Sequence, residues 1–113
     1  MLLMRFNGGL PEPDIMDVPG LAESPTDVQV FFGVRRNIES SNVSWNWNVY
    51  KDRIPESFLP IACDSGGNLY CTKLASPDRG EIIYIELSRG LTRSHRVAAT
   101  FTEFLDSLRS FES

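Results

Sequence analysis

Short apolar runs separated by turn residues occupy the centre of the chain. Residues 59–63 and 69–74 are two such runs, and residues 64–68 between them, DSGGN, favour a tight turn. A second turn at residues 77–80 leads into residues 81–87, EIIYIEL, which are rich in β-branched and aromatic side chains. The pattern predicts a β-hairpin followed by a third strand, in an antiparallel meander.

The last part of the chain has a helical pattern, with apolar residues recurring three or four positions apart. These residues are Phe101, Phe104, Leu105, Leu108 and Phe111. Thr100 and Glu103 have the spacing of a capping box, in which each side chain bonds a free backbone amide at the helix start. We predict a helix over residues 101–110, preceded by a polar connection at residues 89–94 and a short strand at residues 96–98.

The first half of the chain is less regular. Residues 10–27 contain four of the seven prolines and show no sustained period, which predicts a loop packed over the surface. Residues 28–34, VQVFFGV, predict a partly buried strand. Residues 42–50 alternate as a strand would, yet their apolar positions also fit one face of a helix. A short helix is favoured there because Asn42 offers an N-cap.

The first nine residues predict a helix that is already ending. Residues 1–6 have room for about a turn and a half, and Asn7, Gly8 and Gly9 tolerate the left-handed backbone that closes a helix. We therefore expect a helix remnant whose first part is absent. Its apolar residues would lie exposed and favour a weak homodimer; they are Leu2, Leu3 and Phe6.

These elements predict one α+β domain over residues 1–113. An antiparallel sheet of about five or six strands would pack against the C-terminal helix, with the short N-terminal helix remnant alongside. A chain of 113 residues, 42% of them hydrophobic, has the length and composition of one globular domain. No window has the apolar length of a signal peptide or a membrane span, so we expect a cytoplasmic protein without membrane attachment.

The charge distribution bears on the kind of partner. A formal net charge of −4 argues against direct nucleic-acid binding, which needs clustered Lys and Arg. The first 30 residues hold five acidic residues against Arg5 alone. They are Glu12, Asp14, Asp17, Glu23 and Asp27. Such a segment would steer a basic protein partner, although a solvated acidic loop explains it equally well.

Two pairs of residues suggest catalysis, and each has a simpler explanation. Ser65 lies in a DSGG sequence like that of chymotrypsin-type proteases, but His95 follows it and the chain is too short for that fold. We expect His95 to be an exposed turn residue. Glu81 and Glu86 are five positions apart, so they cannot share a strand face and are expected at solvated or edge positions. We predict no catalytic residue.

Cysteines and tryptophans complete the candidate chemistry. Cys63 and Cys71 flank the predicted hairpin, where a cross-strand disulfide is geometrically conceivable, but reduced and buried thiols are favoured in a cytosolic chain. Two cysteines and one histidine are too few for a convincing metal site. We expect neither a metal nor a cofactor. Trp45 and Trp47 could stack on a sugar or anchor an interface, but in an amphipathic segment at least one would belong to the core.

Three separated pieces of the chain carry a family resemblance. They are Asn7-Gly8-Gly9 after the helix remnant, RIPESFLPIACDSGGNLYC at residues 53–71, and VAATFTEFLDSL at residues 97–108. In this order they resemble the Smi/Knr-like, or SUKH, superfamily. The structural motif comprises Asn7, Gly8, Gly9, Asp64, Gly67, Asn68, Thr100 and Glu103.

The resemblance implies a non-catalytic protein-binding domain. Many members are bacterial immunity proteins that neutralise secreted toxins, often nucleases, so a cognate toxin is the first partner to expect. The alternative is a regulatory interaction scaffold of the kind found among fungal cell-wall regulators. In the immunity interpretation, the acidic segment would face the basic substrate groove of the toxin.

Overall fold

The computed structural model describes residues 14–21, 24–33, 42–54, 57–75, 79–88 and 91–109. This part of the chain contains seven strands and two helices, which confirms the α+β class. In chain order they are β1 (Ile15–Met16), β2 (Thr26–Asp27), β3 (Val30–Phe31), α1 (Val43–Tyr50), β4 (Phe58–Cys63), β5 (Leu69–Lys73), β6 (Ile82–Ser88), β7 (Leu91–Ala98) and α2 (Phe101–Asp106).

Five strands form the main sheet, in the order β3-β4-β5-β6-β7, and every pair is antiparallel. Each strand therefore pairs with its neighbour in the chain, as the predicted meander requires. The turn between β4 and β5 contains Gly67 at a φ of +87°. Residues other than glycine adopt this backbone conformation only with strain. Leu69 and Cys71, two positions apart in β5, pack in the same core cluster and share a strand face.

Strand β7 corrects the prediction for residues 89–94. Ser88 pairs with Leu91, so the link between β6 and β7 is only two residues long and β7 runs for eight residues. The sequence predicted a connection because residues 89–94 are mostly polar. In the structure, Arg93 and Ser94 are exposed on β7. Such residues are typical of an edge strand, where polar groups discourage pairing with other chains.

The C-terminal helix is confirmed, but its predicted end at residue 110 is wrong. The Thr100 hydroxyl accepts a hydrogen bond from the Glu103 amide at 3.0 Å, which is the N-cap half of the predicted capping box. The helix then stops at Asp106. Arg109 instead leaves the helical path and exchanges two backbone hydrogen bonds of 2.9 Å with Ile15.

The described part of residues 10–27 is more ordered than the predicted loop. β1 and β2 form a two-stranded antiparallel sheet. Three apolar side chains of β1 and of the segment that follows it are buried: Met16, Val18 and Leu21. Strands of two residues are too short to leave a period in the sequence. The strand predicted over residues 28–34 is likewise short, although the Phe32 amide adds a bond of 2.9 Å to the Ile61 carbonyl.

Residues 42–50 form the predicted helix, α1. Asn42 occupies the N-cap position with an extended backbone, but its side chain makes no capping bond. The Asn46 side chain donates to the Asn42 carbonyl instead, at 2.9 Å. Both Trp45 and Trp47 are only half-buried, so the expectation of a core tryptophan was wrong.

Two apolar clusters lie on opposite faces of the main sheet, because alternate strand residues point to opposite sides. Tyr84 belongs to the first cluster, which also contains Phe104 of α2 and Met16 of β1. Ile83 and Ile85 belong to the second, with Val43 of α1. Helix α1 and the β1–β2 pair are thereby placed against different faces.

Several predictions fall on residues outside the described ranges. They concern the N-terminal helix remnant, the Asn7-Gly8-Gly9 closure, the exposure of Leu2, Leu3 and Phe6, and the position of Phe111. Among the described residues, no helix has the length and apolar character needed to cross a membrane.

Candidate functional site

A buried carboxylate lies at the turn between β4 and β5. The side chain of Asp64 is 3% exposed and accepts bonds from two turn amides, those of Gly66 at 3.0 Å and Asn68 at 2.8 Å. Its other oxygen accepts bonds from the Thr26 hydroxyl at 2.9 Å, from the Asn68 side-chain amide at 3.4 Å and from the Tyr84 hydroxyl. All of these groups are donors, an arrangement that suits an acceptor-only carboxylate.

A second group of hydrogen bonds ties β2 to the same turn. The Asp27 carboxylate accepts bonds from the Ser65 amide at 2.9 Å and the Ser65 hydroxyl at 3.0 Å. The Tyr70 hydroxyl donates to the Asp27 carbonyl, also at 2.9 Å. Together with the Thr26–Asp64 bond, these contacts fix the β1–β2 pair on the main sheet.

The two tyrosines of this network are held as neutral donors. Burial, and then the Asp64 carboxylate, raise the pKa of the Tyr84 hydroxyl far above its ordinary value. The same two causes raise the pKa of Tyr70. Loss of a proton from either phenol near neutral pH would therefore be costly.

Ser65 and His95, the nominal nucleophile and base, each bond a different carboxylate. Ser65 bonds Asp27, whereas His95 Nε2 lies 3.0 Å from Glu86 Oε2. His95 belongs to β7 and its side chain is 14% exposed, so the expectation of an exposed turn histidine was wrong. Its register opposite Tyr84 places it on the face that the β1–β2 pair covers.

The two glutamates are also less solvated than predicted. The Glu86 side chain is 22% exposed and pairs with His95. Glu81 is 14% exposed and lies 2.6 Å from Arg96 Nε and 3.5 Å from Lys73 Nζ. Ion pairs with side chains of the neighbouring strands account for this lower exposure. The spacing of the two glutamates in the sequence does not reveal such pairs.

Both cysteine thiols are free, but only Cys71 is fully buried. Cys63 is half-buried, so the prediction of two buried thiols holds for one of them. Burial raises the pKa of Cys71 to about 12. Burial, followed by the charge of Asp64, also raises the pKa of Cys63. A raised pKa suppresses the thiolate and with it the nucleophilic reactivity of both residues.

A cleft of about 350 Å³ opens between helix α1 and the turn of the β4–β5 hairpin. We call it the α1 cleft. Aromatic residues line one part and polar residues of the turn and of β3's flank line another. The lining residues that matter below are Trp45, Tyr50, Phe32, Gln29, Asp64 and Ser65. Sequence reasoning missed this cleft because its walls come from three separate segments.

The predicted acidic segment is only partly described, since Glu12 and Glu23 lie outside the described ranges. Asp14 is exposed. Asp17 forms two hydrogen bonds with the guanidinium of Arg109, at 2.8 and 2.9 Å, and this contact lowers the pKa of Asp17 below its ordinary value. Asp27 is half-buried and bonded to Ser65. The structure thus places two of these carboxylates in internal contacts.

The described residues hold no cluster of three or more His, Cys, Asp or Glu that would suit a metal ion. The fold and the site define a small α+β domain. Its polar groups attach loops to the main sheet, and the α1 cleft opens at its surface. A family model, SUKH_6, described as SMI1-KNR4 cell-wall, matches residues 1–105. The chain therefore belongs to the SMI1-KNR4 family of protein-interaction domains, and the resemblance found in the sequence is confirmed. No curated protein and no solved structure matches the chain.

Proposed function

We propose that this protein is a non-catalytic immunity protein that neutralises a cognate bacterial toxin by binding it and covering its active site. The observation that carries the proposal is membership of the SMI1-KNR4 family over residues 1–105. Occlusion needs a rigid surface rather than reactive groups. The Asp64 network supports this requirement, because it fixes the β2 segment and the hairpin turn relative to each other.

The acidic segment remains the proposed contact surface. Asp14 is exposed and available to a basic partner, while Asp17 and Asp27 are held in defined positions by Arg109 and Ser65. Fixed carboxylates lose little conformational freedom on binding, which favours association. A basic substrate groove, such as that of a nuclease toxin, would be drawn to this segment by long-range attraction. Direct nucleic-acid binding is not part of the proposal.

Co-expression with a candidate toxin, such as one encoded beside this gene, tests the function. We expect the protein to restore growth of cells that produce the toxin and, when purified, to abolish the toxin's activity at a stoichiometric ratio. A toxin that stays fully active in the presence of excess folded protein would contradict the immunity role for that pair.

Charge reversal tests the surface separately. Asp14→Lys should slow association with the toxin and weaken its dependence on salt. Asp106→Lys is the matched control, because Asp106 is also exposed but lies at the end of helix α2, outside both the acidic segment and the α1 cleft. Equal effects of the two variants on the association rate would mean that the acidic segment is not the contact surface.

A second candidate function is a regulatory interaction scaffold, which the description of the matching family as a cell-wall family favours. Under this alternative, deletion of the gene should change sensitivity to cell-wall-directed antibiotics in cells that carry no cognate toxin. The immunity role predicts no such change.

A further inference from the structure

The α1 cleft has the size and lining of a site for one side chain. Its volume, about 350 Å³, lies at the low end of ligand sites in proteins. Trp45 and Tyr50 of helix α1 line the cleft and are half-buried. Phe32 is buried and extends the apolar lining.

The other end of the α1 cleft is electronegative. Asp64 lines it, and the Ser65 hydroxyl that also lines it is bonded to the Asp27 carboxylate. Among the described residues that line the cleft there is no Lys, Arg or His. The Asp64 carboxylate thus lies at one end of an aromatic cleft whose described lining contains no cationic side chain. Aromatic faces and carboxylates both favour a cation.

We propose that the α1 cleft binds the side chain of an arginine supplied by the protein partner. This assignment rests on the proposed protein-binding function and names the kind of anchor that the partner would insert. The methylene stem would pack on Phe32 and Tyr50, and the planar guanidinium would stack on Trp45. Its N–H groups would point toward the turn, where the Ser65 hydroxyl lines the cleft and can accept a hydrogen bond.

Nuclear magnetic resonance of the full chain tests the proposal without knowledge of the partner. The probe is N-acetyl-arginine methylamide, and the neutral control of nearly the same shape is N-acetyl-citrulline methylamide, both at constant ionic strength. We expect the arginine probe to shift the indole N–H signal of Trp45 in a saturable way, with an apparent affinity roughly tenfold higher than that of the citrulline probe. Equal shifts by the two probes, or none by either, would overturn the proposal.

Two variants of the same helix locate the probe. Trp45→Leu keeps an apolar contact and removes the indole face, so it should lower the apparent affinity for the arginine probe by roughly tenfold. Trp47→Leu is the matched control, since Trp47 does not line the cleft and carries the Lys51 ammonium 5.5 Å from its ring centroid. Unchanged binding by Trp45→Leu would refute the assignment.

Should Trp45→Leu fail to fold, nuclear Overhauser contacts in the unmodified protein decide the question. Contacts from the arginine δ-methylene to the Trp45 and Tyr50 rings are expected, and contacts to Trp47 alone would count against the cleft. The toxin experiment remains independent of these results. Toxin protection without probe binding would reject the cleft alone, whereas probe binding without protection would reject the immunity role alone.

Discussion

The Tyr84 hydroxyl offers a sharp test of how the Asp64 network stabilises the fold. Tyr84 is 1% exposed and donates to the buried Asp64 carboxylate. Tyr84→Phe removes that donor and keeps the ring, including its edge contact with Tyr70 at a centroid distance of 5.1 Å. Asp64 would keep the bonds from the Gly66 amide, the Thr26 hydroxyl and both the backbone and side-chain amides of Asn68, so the carboxylate would lose one of five hydrogen bonds.

The expected cost follows from the charge of the acceptor. A hydrogen bond to a charged group contributes about 1.5–3 kcal/mol to stability, and a neutral one about 0.5–1.5 kcal/mol. Tyr70→Phe is the matched control, because the Tyr70 hydroxyl is equally buried but donates to a neutral group, the Asp27 carbonyl. We therefore expect Tyr84→Phe to lower the free energy of unfolding by about 2 kcal/mol and Tyr70→Phe by about 1 kcal/mol.

Urea unfolding, followed by circular dichroism and by tryptophan fluorescence, measures both values. The urea dependence of the free energy of unfolding should be the same in all three proteins, because the surface exposed on unfolding does not change. Equal losses in the two variants, or a larger loss for Tyr70→Phe, would refute the reasoning that the charge of Asp64 makes its hydrogen bonds the stronger ones.

Three further predictions concern local features of the chain. Gly67→Ala should lower the free energy of unfolding, measured by urea unfolding, by about 1–2 kcal/mol, because alanine is strained at a φ of +87°. Gly66→Ala is the control and should cost much less, since an added Cβ there meets only ordinary van der Waals contacts. Thr100→Ala removes the hydroxyl that caps the Glu103 amide and should lower the free energy of unfolding, measured by calorimetry, by about 1 kcal/mol. Thr100→Ser keeps a hydroxyl and should retain most of the wild-type stability. Iodoacetamide at pH 8 should leave Cys71 unmodified in the folded protein and alkylate Cys63 only slowly, while both react in urea; rapid native labelling of Cys71, read by mass spectrometry, would contradict its burial and its pKa of about 12.

The strands of the meander were predictable because local signals agree there. Apolar runs, the DSGGN turn and the β-branched residues 81–87 all indicate the same structure. Strand β7 escaped prediction because an edge strand tolerates the polar residues that also mark connections. Helix α2 was placed correctly at its capped start. Its end was missed because Arg109 leaves the helix to pair with Ile15, a residue far away in the sequence.

The candidate site shows the same limit. The turn bonds of Asp64 were predictable, since they join residues two and four positions apart. The bonds from Thr26 and Tyr84 come from residues 38 and 20 positions away, and no local pattern announces them. The acidic segment was visible as composition, but its internal pairing with Arg109 and Ser65 depends on tertiary structure.

The contact between Arg109 and the β1 region has a consequence for the order in which the fold is completed. Each strand of the main sheet can pair with the strand made just before it, so the sheet can assemble during synthesis from contacts that are close in sequence. The Arg109–Asp17 pair joins residues 92 positions apart, and the backbone bonds to Ile15 span a similar distance. These contacts of β1 therefore form only after residue 109 has left the ribosome, although the β1–β2 pair can be attached to the hairpin turn before then.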